Sequence, residues 1–302
     1  MENNNEIFLK NKLEEQYSKD DINRIYDGYS CKRMVTFRVN TIKSSPEKIK
    51  QVLKNENIEY ENVAWSEDAF IVKNRSEKEL EQLEIYQNGE IYLQSLSSML
   101  PPIVLKPKQN EDILDMAAAP GGKTTQIAAL TQNNAHITAC EMNNIRAEKL
   151  KFNIEKQGAS SVYVMQKDSR NIDEYFSFDR ILLDAPCSGS GTIELKNENV
   201  FKYFSPKLVE KSTKAQLSLL KKALQILKPG KEMVYSTCSI LSCENEDVVM
   251  QILKSSNAEI VPIEFEGMND LPLLPTKIPG TLCVCPNELY EGFYIAKIIK
   301  KA

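Results

Sequence analysis

A chain of 302 residues, 42% hydrophobic and 26% charged, has the make-up of a globular protein and the length for a small domain beside a larger one. No apolar run approaches the 18 or more residues of a membrane span, and the acidic, polar start MENNNEIFLKNKLEEQ does not read as a secretory signal. The net charge of −4 argues against a nucleic-acid partner, whose usual footprint is basic, and seven cysteines at irregular spacing imply free thiols in a reducing cytoplasm, not a disulfide framework.

In chain order, residues 6–29 carry helical periodicity and read as one or two amphipathic helices. MVTFRVN (34–40) alternates as a strand, SSPEKIKQVLKNE (44–56) reads as a helix with a Ser-Pro start, and FIVKN (70–74) as another short strand. Together these predict a small α+β module over residues 1–90. Residues 88–112 bridge into the remainder, where Pro101 and Pro102 are expected to break the helical pattern. Beyond 112 the rhythm is βαβ. Strands are expected at 112–116, 135–140, 161–165, 180–183, 232–235, 258–263 and 292–299, and helices at 123–131, 143–157, 206–228 and 242–256. That alternation predicts a mostly parallel, seven-stranded α/β sheet over residues 91–302, covered on both faces.

Three loops follow strands in this second part: DMAAAPGGKT (115–124), DAPCSGSG (184–191) and YSTCS (235–239). The carboxyl ends of strands in an open α/β sheet line one crevice, so Cys187 and Cys238 can meet there. The helix after Gly121 and Gly122 would aim its N-terminus at whatever the first turn binds. Asp115, Glu141 and Asp168 follow three successive strands. Glu141 stands 19 residues after Gly122, close to the spacing at which a carboxylate grips ribose hydroxyls, and the three acids point to an adenosine-containing ligand.

A phosphate loop is the rival. Ala117, Gly122, Lys123 and Thr124 nearly fit that motif, and RILLD (180–184) resembles its acidic partner strand, which would make the chain a nucleotide triphosphatase. Against it, Ala117 replaces the first glycine, Pro120 removes a backbone donor, and the acids and both cysteine loops are left without a role. His136, the sole histidine, lies in a strand-like run, so a Cys-His dyad has no evident base. Cys187 and Cys238 lack Cys-x-x-Cys spacing, and Cys283 and Cys285 stand too close for the usual zinc knuckle, on an expected edge strand. Cys31, Cys140 and Cys243 read as small apolar fillers. Two thiols beside a methyl donor suit one reaction well: carbon-5 of cytosine becomes nucleophilic only after a thiolate adds at carbon-6.

The three loop motifs, in this order, resemble the signature of the Nol/Nop/Sun family of RNA cytosine carbon-5 methyltransferases. RVNT (38–41), YLQSLSSMLPP (92–102) and EGFYIAK (291–297) extend the resemblance from about residue 38 to the C-terminus. The QSLSSMLPPIVL segment and the IPGTL…P…GFYIAK ending are particularly similar to the short archaeal enzymes that methylate transfer RNA. The resemblance implies a Rossmann-like class I S-adenosylmethionine-dependent methyltransferase with a small N-terminal RNA-recognition-like module. It makes Cys238 the nucleophile and gives Cys187 the resolution of the covalent adduct. Asp184 would hydrogen-bond the cytosine's polar edge, and Lys123 would sit between the cofactor turn and the base. S-adenosylmethionine would lie on Ala117, Ala118, Ala119, Pro120, Gly121 and Gly122, with Glu141 at the ribose, Asp168 near the adenine, and Lys123, Arg146 and Asp184 completing the site. DNA enzymes use the Pro-Cys cysteine instead, so Cys238 implies an RNA substrate.

The expected partner is structured RNA, transfer or ribosomal, bound by a cytoplasmic monomer that needs no metal and no membrane. Two positions depart from the family pattern: Cys283 where arginine is common, and Gly230-Lys231 where two glycines are common. Arg38 and Asn40 are candidate RNA contacts. So is the basic stretch 196–222, with Lys196, Lys202, Lys207, Lys211, Lys214, Lys221 and Lys222 against Glu194, Glu198 and Glu210. A catalytically silent RNA-binding relative is the alternative, against which stand both cysteines, Asp184 and Lys123.

Overall fold

A computed structural model describes residues 4–197 and 199–302, so Glu198 of the basic stretch lies outside the described residues. The first part runs α1 (Asn4–Glu14), α2 (Lys19–Ser30), β1 (Val35–Val39), α3 (Pro46–Asn55), β2 (Tyr60–Val63), β3 (Ser66–Val72), α4 (Glu77–Glu81), α5 (Glu84–Gln87), β4 (Ile91–Leu93) and α6 (Leu96–Leu105). Its four strands form an antiparallel sheet in the order β2-β3-β1-β4. The local chemistry explains α3. Ser45 accepts from the Lys48 N–H, Pro46 occupies the first turn, and Ile49 and Leu53 reach the cluster of Phe37, Phe70 and Val72.

The second part runs β5 (Asp112–Asp115), α7 (Gly122–Leu130), β6 (His136–Cys140), α8 (Asn144–Gln157), β7 (Val162–Met165), β8 (Phe178–Asp184), α9 (Val200–Tyr203), α10 (Pro206–Ile226), β9 (Leu227–Thr237), α11 (Glu246–Leu253), β10 (Ala258–Val261), β11 (Leu273–Leu274), β12 (Leu282–Val284) and β13 (Phe293–Lys300). Strand order is β11-β12-β13-β9-β8-β5-β6-β7, with β10 also on β13. Strands β5 to β9 are parallel and β13 runs antiparallel to β9. Order reverses between β5 and β8, which places the ligand crevice at their carboxyl ends. The apolar runs bury both faces. Ile113, Leu182 and Val234 meet α6 and α7, while Leu114, Ile181, Leu183 and Tyr235 meet α10 and α11.

Four differences from the sequence reading have physical causes. The large sheet has nine strands, because the short pair β11 and β12 carries too few residues to show a period. Pro101 and Pro102 lie inside α6 instead of ending it. The Ser98 carbonyl, four residues before Pro102, accepts instead from Gln94 Nε2 at 3.1 Å. Helices α1 and α2 bury Leu9, Leu13, Ile25 and Tyr29 in the large sheet's cluster, not in the small module, and β4, past residue 90, joins the small sheet. Residues 242–244 form a 3₁₀ turn, and the helix expected from 242 begins at Glu246. Among the described residues, no helix is long and apolar enough to cross a membrane.

Candidate active site

Strand β5 ends at Asp115, whose Oδ2 accepts from Thr124 Oγ1 at 2.7 Å and whose Oδ1 accepts from the Ala117 N–H at 3.4 Å. Burial pushes its carboxyl up to about 6, against the pull of the Thr124 hydrogen bond. Gly121, with φ at 112°, caps α7; a Cβ there would stand 3.1 Å from Leu150 Cδ1. From α8, Arg146 Nη2 donates to the Ala119 carbonyl at 2.8 Å, and Asn153 Nδ2 donates to the Pro120 carbonyl at 2.8 Å. Glu141, buried past β6, accepts from the Asn143 N–H at 2.8 Å and stands 3.5 Å from Arg146 Nε. Asp168 is held by Arg170 through Nε at 2.9 Å and Nη2 at 2.6 Å, which keeps its carboxyl below the usual range.

Strands β8 and β9 deliver the remaining groups side by side. Lys123 Nζ lies 2.7 Å from Asp184 Oδ2 and 2.7 Å from Ser98 Oγ, over the Phe293 ring at 5.4 Å. Burial lowers the Lys123 ammonium's pKa, but Asp184 and Asp115 more than offset this, so it is held above its ordinary value. Ser236 Oγ donates to Asp184 Oδ1 at 2.8 Å. Cys187 Sγ and Cys238 Sγ are 3.1 Å apart. The hydrogen bond to Cys238, then burial, push the Cys187 thiol well above its ordinary value.

A cavity of about 560 Å³ joins these groups. Asp115, Ala117, Ala118, Ala119, Pro120 and Gly122 form one wall, and Lys123, Asp184 and Cys238 another. Gly121, Glu141, Arg146, Asp168 and Cys187 do not line it, and Cys187 meets it through Cys238. A site of this size takes a nucleoside-sized ligand, and carboxylates with backbone groups over small side chains are a donor set suited to S-adenosylmethionine.

Residues that the sequence reading left without a role complete the site. Ser98, inside the quoted segment QSLSSMLPP, anchors Lys123, and Phe293 of the quoted EGFYIAK packs under it. Arg38 and Asn40 are not surface contacts. Arg38 is buried, donating to Gln94 Oε1 at 3.0 Å, Thr125 Oγ1 at 2.7 Å and the Gly122 carbonyl at 3.2 Å. Asn40 Nδ2 donates to the Gly89 and Gln157 carbonyls, both at 2.8 Å. Both therefore join the small sheet to the large domain. His136 is exposed at the far end of β6 from the crevice. Cys283 and Cys285 are buried, with Cys283 Sγ 3.6 Å from Tyr17 Oη. Within the basic stretch, Lys214 pairs with Glu210 at 2.6 Å and Lys222 donates to the Ile172 carbonyl at 3.0 Å.

The family described as 16S rRNA methyltransferase RsmB/F matches residues 102–299, and its ferredoxin-like domain family matches residues 7–77. Ribosomal RNA small subunit methyltransferase F of Shewanella loihica is 37% identical over 276 residues, covering 88% of this chain but 56% of its own length. The chain thus spans little more than half of that relative. The tRNA (cytosine(49)-C(5))-methyltransferase of Pyrococcus abyssi is 36% identical, covering 97% of this chain and 96% of its own. A solved structure of a methyltransferase homolog protein from Pyrococcus horikoshii matches with a TM-score of 0.80 at 32% identity, covering 97% of this chain and 99% of that one. Matched along its length by profile, relatives and structure alike, the chain belongs to the RsmB/F, or Nol/Nop/Sun, family of RNA methyltransferases.

Proposed function

We propose that the protein methylates carbon-5 of a cytosine in structured RNA, transfer or ribosomal, through a covalent adduct to Cys238. One observation carries this reading: Cys238 shares a cavity with the Asp184–Lys123 pair and the 117–122 turn, with the Cys187 thiol 3.1 Å behind it. The target base must leave its stack to reach this cavity. The Cys238 thiolate adds at carbon-6, and the electron pair of the ring double bond moves toward carbon-5. Asp184, fixed by Ser236 and Lys123, accepts from the amino edge of the cytosine. The Lys123 ammonium, held charged beside it, offsets the negative charge that builds on the ring.

Bound S-adenosylmethionine would supply the methyl group; the 117–122 turn would hold it, and Glu141 would take its ribose. Release then needs a second group. Cys187 serves it as the base: its thiolate takes the carbon-5 proton, the electrons of that bond restore the ring double bond, and the bond from carbon-6 to sulfur breaks with its electron pair left on Cys238 as thiolate. Cys238 lines the cavity and Cys187 stands behind it, which makes Cys238 the attacking group.

Purified protein with S-adenosylmethionine and EDTA, given transfer RNA or small-subunit ribosomal RNA in separate reactions and read by bisulfite sequencing, tests this. Protected cytosines in one RNA, absent with Cys238→Ala, are expected. ATP hydrolysis lost on Lys123→Ala, with no protected cytosine in either RNA, would overturn the proposal in favour of a triphosphatase.

A further inference from the structure

Glu244 lies in the 3₁₀ turn just beyond the Thr-Cys loop, with none of its surface exposed. Its Oε1 accepts from the Ser188 N–H at 2.8 Å, and its Oε2 accepts from Ser188 Oγ at 2.5 Å and Ser239 Oγ at 2.7 Å. Ser188 directly follows Cys187, and Ser239 directly follows Cys238. One buried carboxylate therefore ties the residues next to the two cysteines, beside the direct contacts further along the loops, Ser190 Oγ to Ser239 Oγ at 2.8 Å and the Gly191 N–H to the Cys238 carbonyl at 3.0 Å. Gln216 of α10 supports the same knot, its Nε2 donating to the Pro186 carbonyl at 2.9 Å.

The bonds are unequally shared. Of the four the carboxylate accepts, two come from Ser188, on the Cys187 side, one from Ser239 and a longer one, at 3.5 Å, from Gln216 Nε2. The Cys238 loop has anchors of its own: it continues β9, Thr237 Oγ1 donates to Asn245 Oδ1 at 2.5 Å, and Asn245 Nδ2 donates to the Ser239 carbonyl at 2.9 Å. Hydrogen bonds to a buried charge are strong, and removing their acceptor leaves the Ser188 N–H without its partner.

We infer that Glu244 is a positioning residue for adduct release, holding the Cys187 loop against Cys238 so that the two sulfurs stay within reach. This rests on the reaction proposed above. Its loss falls mainly on the step that needs Cys187 and much less on the attack by Cys238.

Glu244→Gln and Glu244→Ala in the full chain, with S-adenosylmethionine and the RNA that the wild type methylates, test it. Single-turnover methyl transfer and the covalent protein–RNA band on a denaturing gel are followed together. Transfer within about threefold of wild type and release slowed roughly tenfold or more are expected, with alanine the more severe. A merely structural role would lower both rates in parallel by reducing the folded fraction, and that outcome, or release at the wild-type rate, overturns the inference. Where Glu244→Ala does not accumulate, the double variant Ser188→Ala, Ser239→Ala removes the hydroxyl partners instead and should show the same split. Cys187→Ala serves as reference. If it too traps no RNA, the proposed reaction falls and the inference with it; if it traps RNA and the Glu244 variants do not, the inference alone is wrong.

Discussion

Cys187 and Cys238 have identical side chains, and it is their surroundings that differ: Cys238 lines the cavity, and Cys187 stands behind it with its proton held tightly. Asp115 offers a test by pH. Its carboxyl sits at about 6 when folded against an ordinary 3.8, so the native state binds this proton more tightly than the unfolded chain does. Its contribution to stability is therefore fully present below the ordinary value and is lost as pH rises through about 6. Relative to Asp115→Asn, the wild type should lose about 2 kcal/mol of stability between pH 4 and pH 7, measured by urea unfolding. A gap that stays flat with pH would show that Asp115 titrates normally. Glu141→Ala is expected to weaken S-adenosylmethionine binding by about 1–3 kcal/mol by calorimetry, and unchanged affinity would remove Glu141 from the site. At this scale the sequence revealed groups that recur in named motifs. Glu244 stayed hidden because, within CENED, a buried acid looks the same as a solvated one. Arg38 was misread because a strand's alternation shows which residues share a face but not whether a polar one is buried with partners.

Among the elements, the Cys187 loop docks by backbone contact as much as by side chains. The Gly191 N–H donates to the Cys238 carbonyl at 3.0 Å, the Gly292 N–H just before β13 donates to the Gly191 carbonyl at 2.8 Å, and a Cβ on Gly191 would come within 2.0 Å of the Gly292 carbonyl oxygen. Gly191→Ala should therefore cost several kcal/mol or prevent folding, since backbone must move to admit it. Gly230, at φ 72° with open space around its Cβ position, should tolerate alanine at a cost of only about 1 kcal/mol from the left-handed conformation. Urea midpoints of the two variants give the comparison, and equal losses would contradict the close approach. Strands β5, β6, β8 and β9 were legible because burial on both faces makes them unbroken apolar runs. Strand β2 was not, since YENV leaves Glu61 and Asn62 exposed and shows no apolar face. Helix α6 was misjudged because Gln94, an acceptor's distant partner, replaces the hydrogen bond that Pro102 cannot make.

Across the whole molecule, Arg38 links β1 of the small sheet to Gly122 and Thr125 of α7, while Gln94 extends the link to Ser98, whose Oγ accepts from Lys123. Arg38→Met should cost about 2–4 kcal/mol of stability by leaving these acceptors unpaired. Weakened RNA binding at unchanged stability would return Arg38 to the surface role the sequence suggested. The order of the large sheet followed from its βαβ rhythm, whereas the packing of α1 and α2 onto that sheet did not, because an amphipathic stripe does not name its partner. The proposed reaction turns on unequal roles for two thiols 3.1 Å apart. Cys187→Ala and Cys238→Ala, each incubated with substrate RNA and S-adenosylmethionine and run on a denaturing gel, test it most directly. A covalent protein–RNA band from Cys187→Ala, and none from Cys238→Ala or the double variant, is the expected result; a band from Cys238→Ala alone would make Cys187 the nucleophile and contradict it.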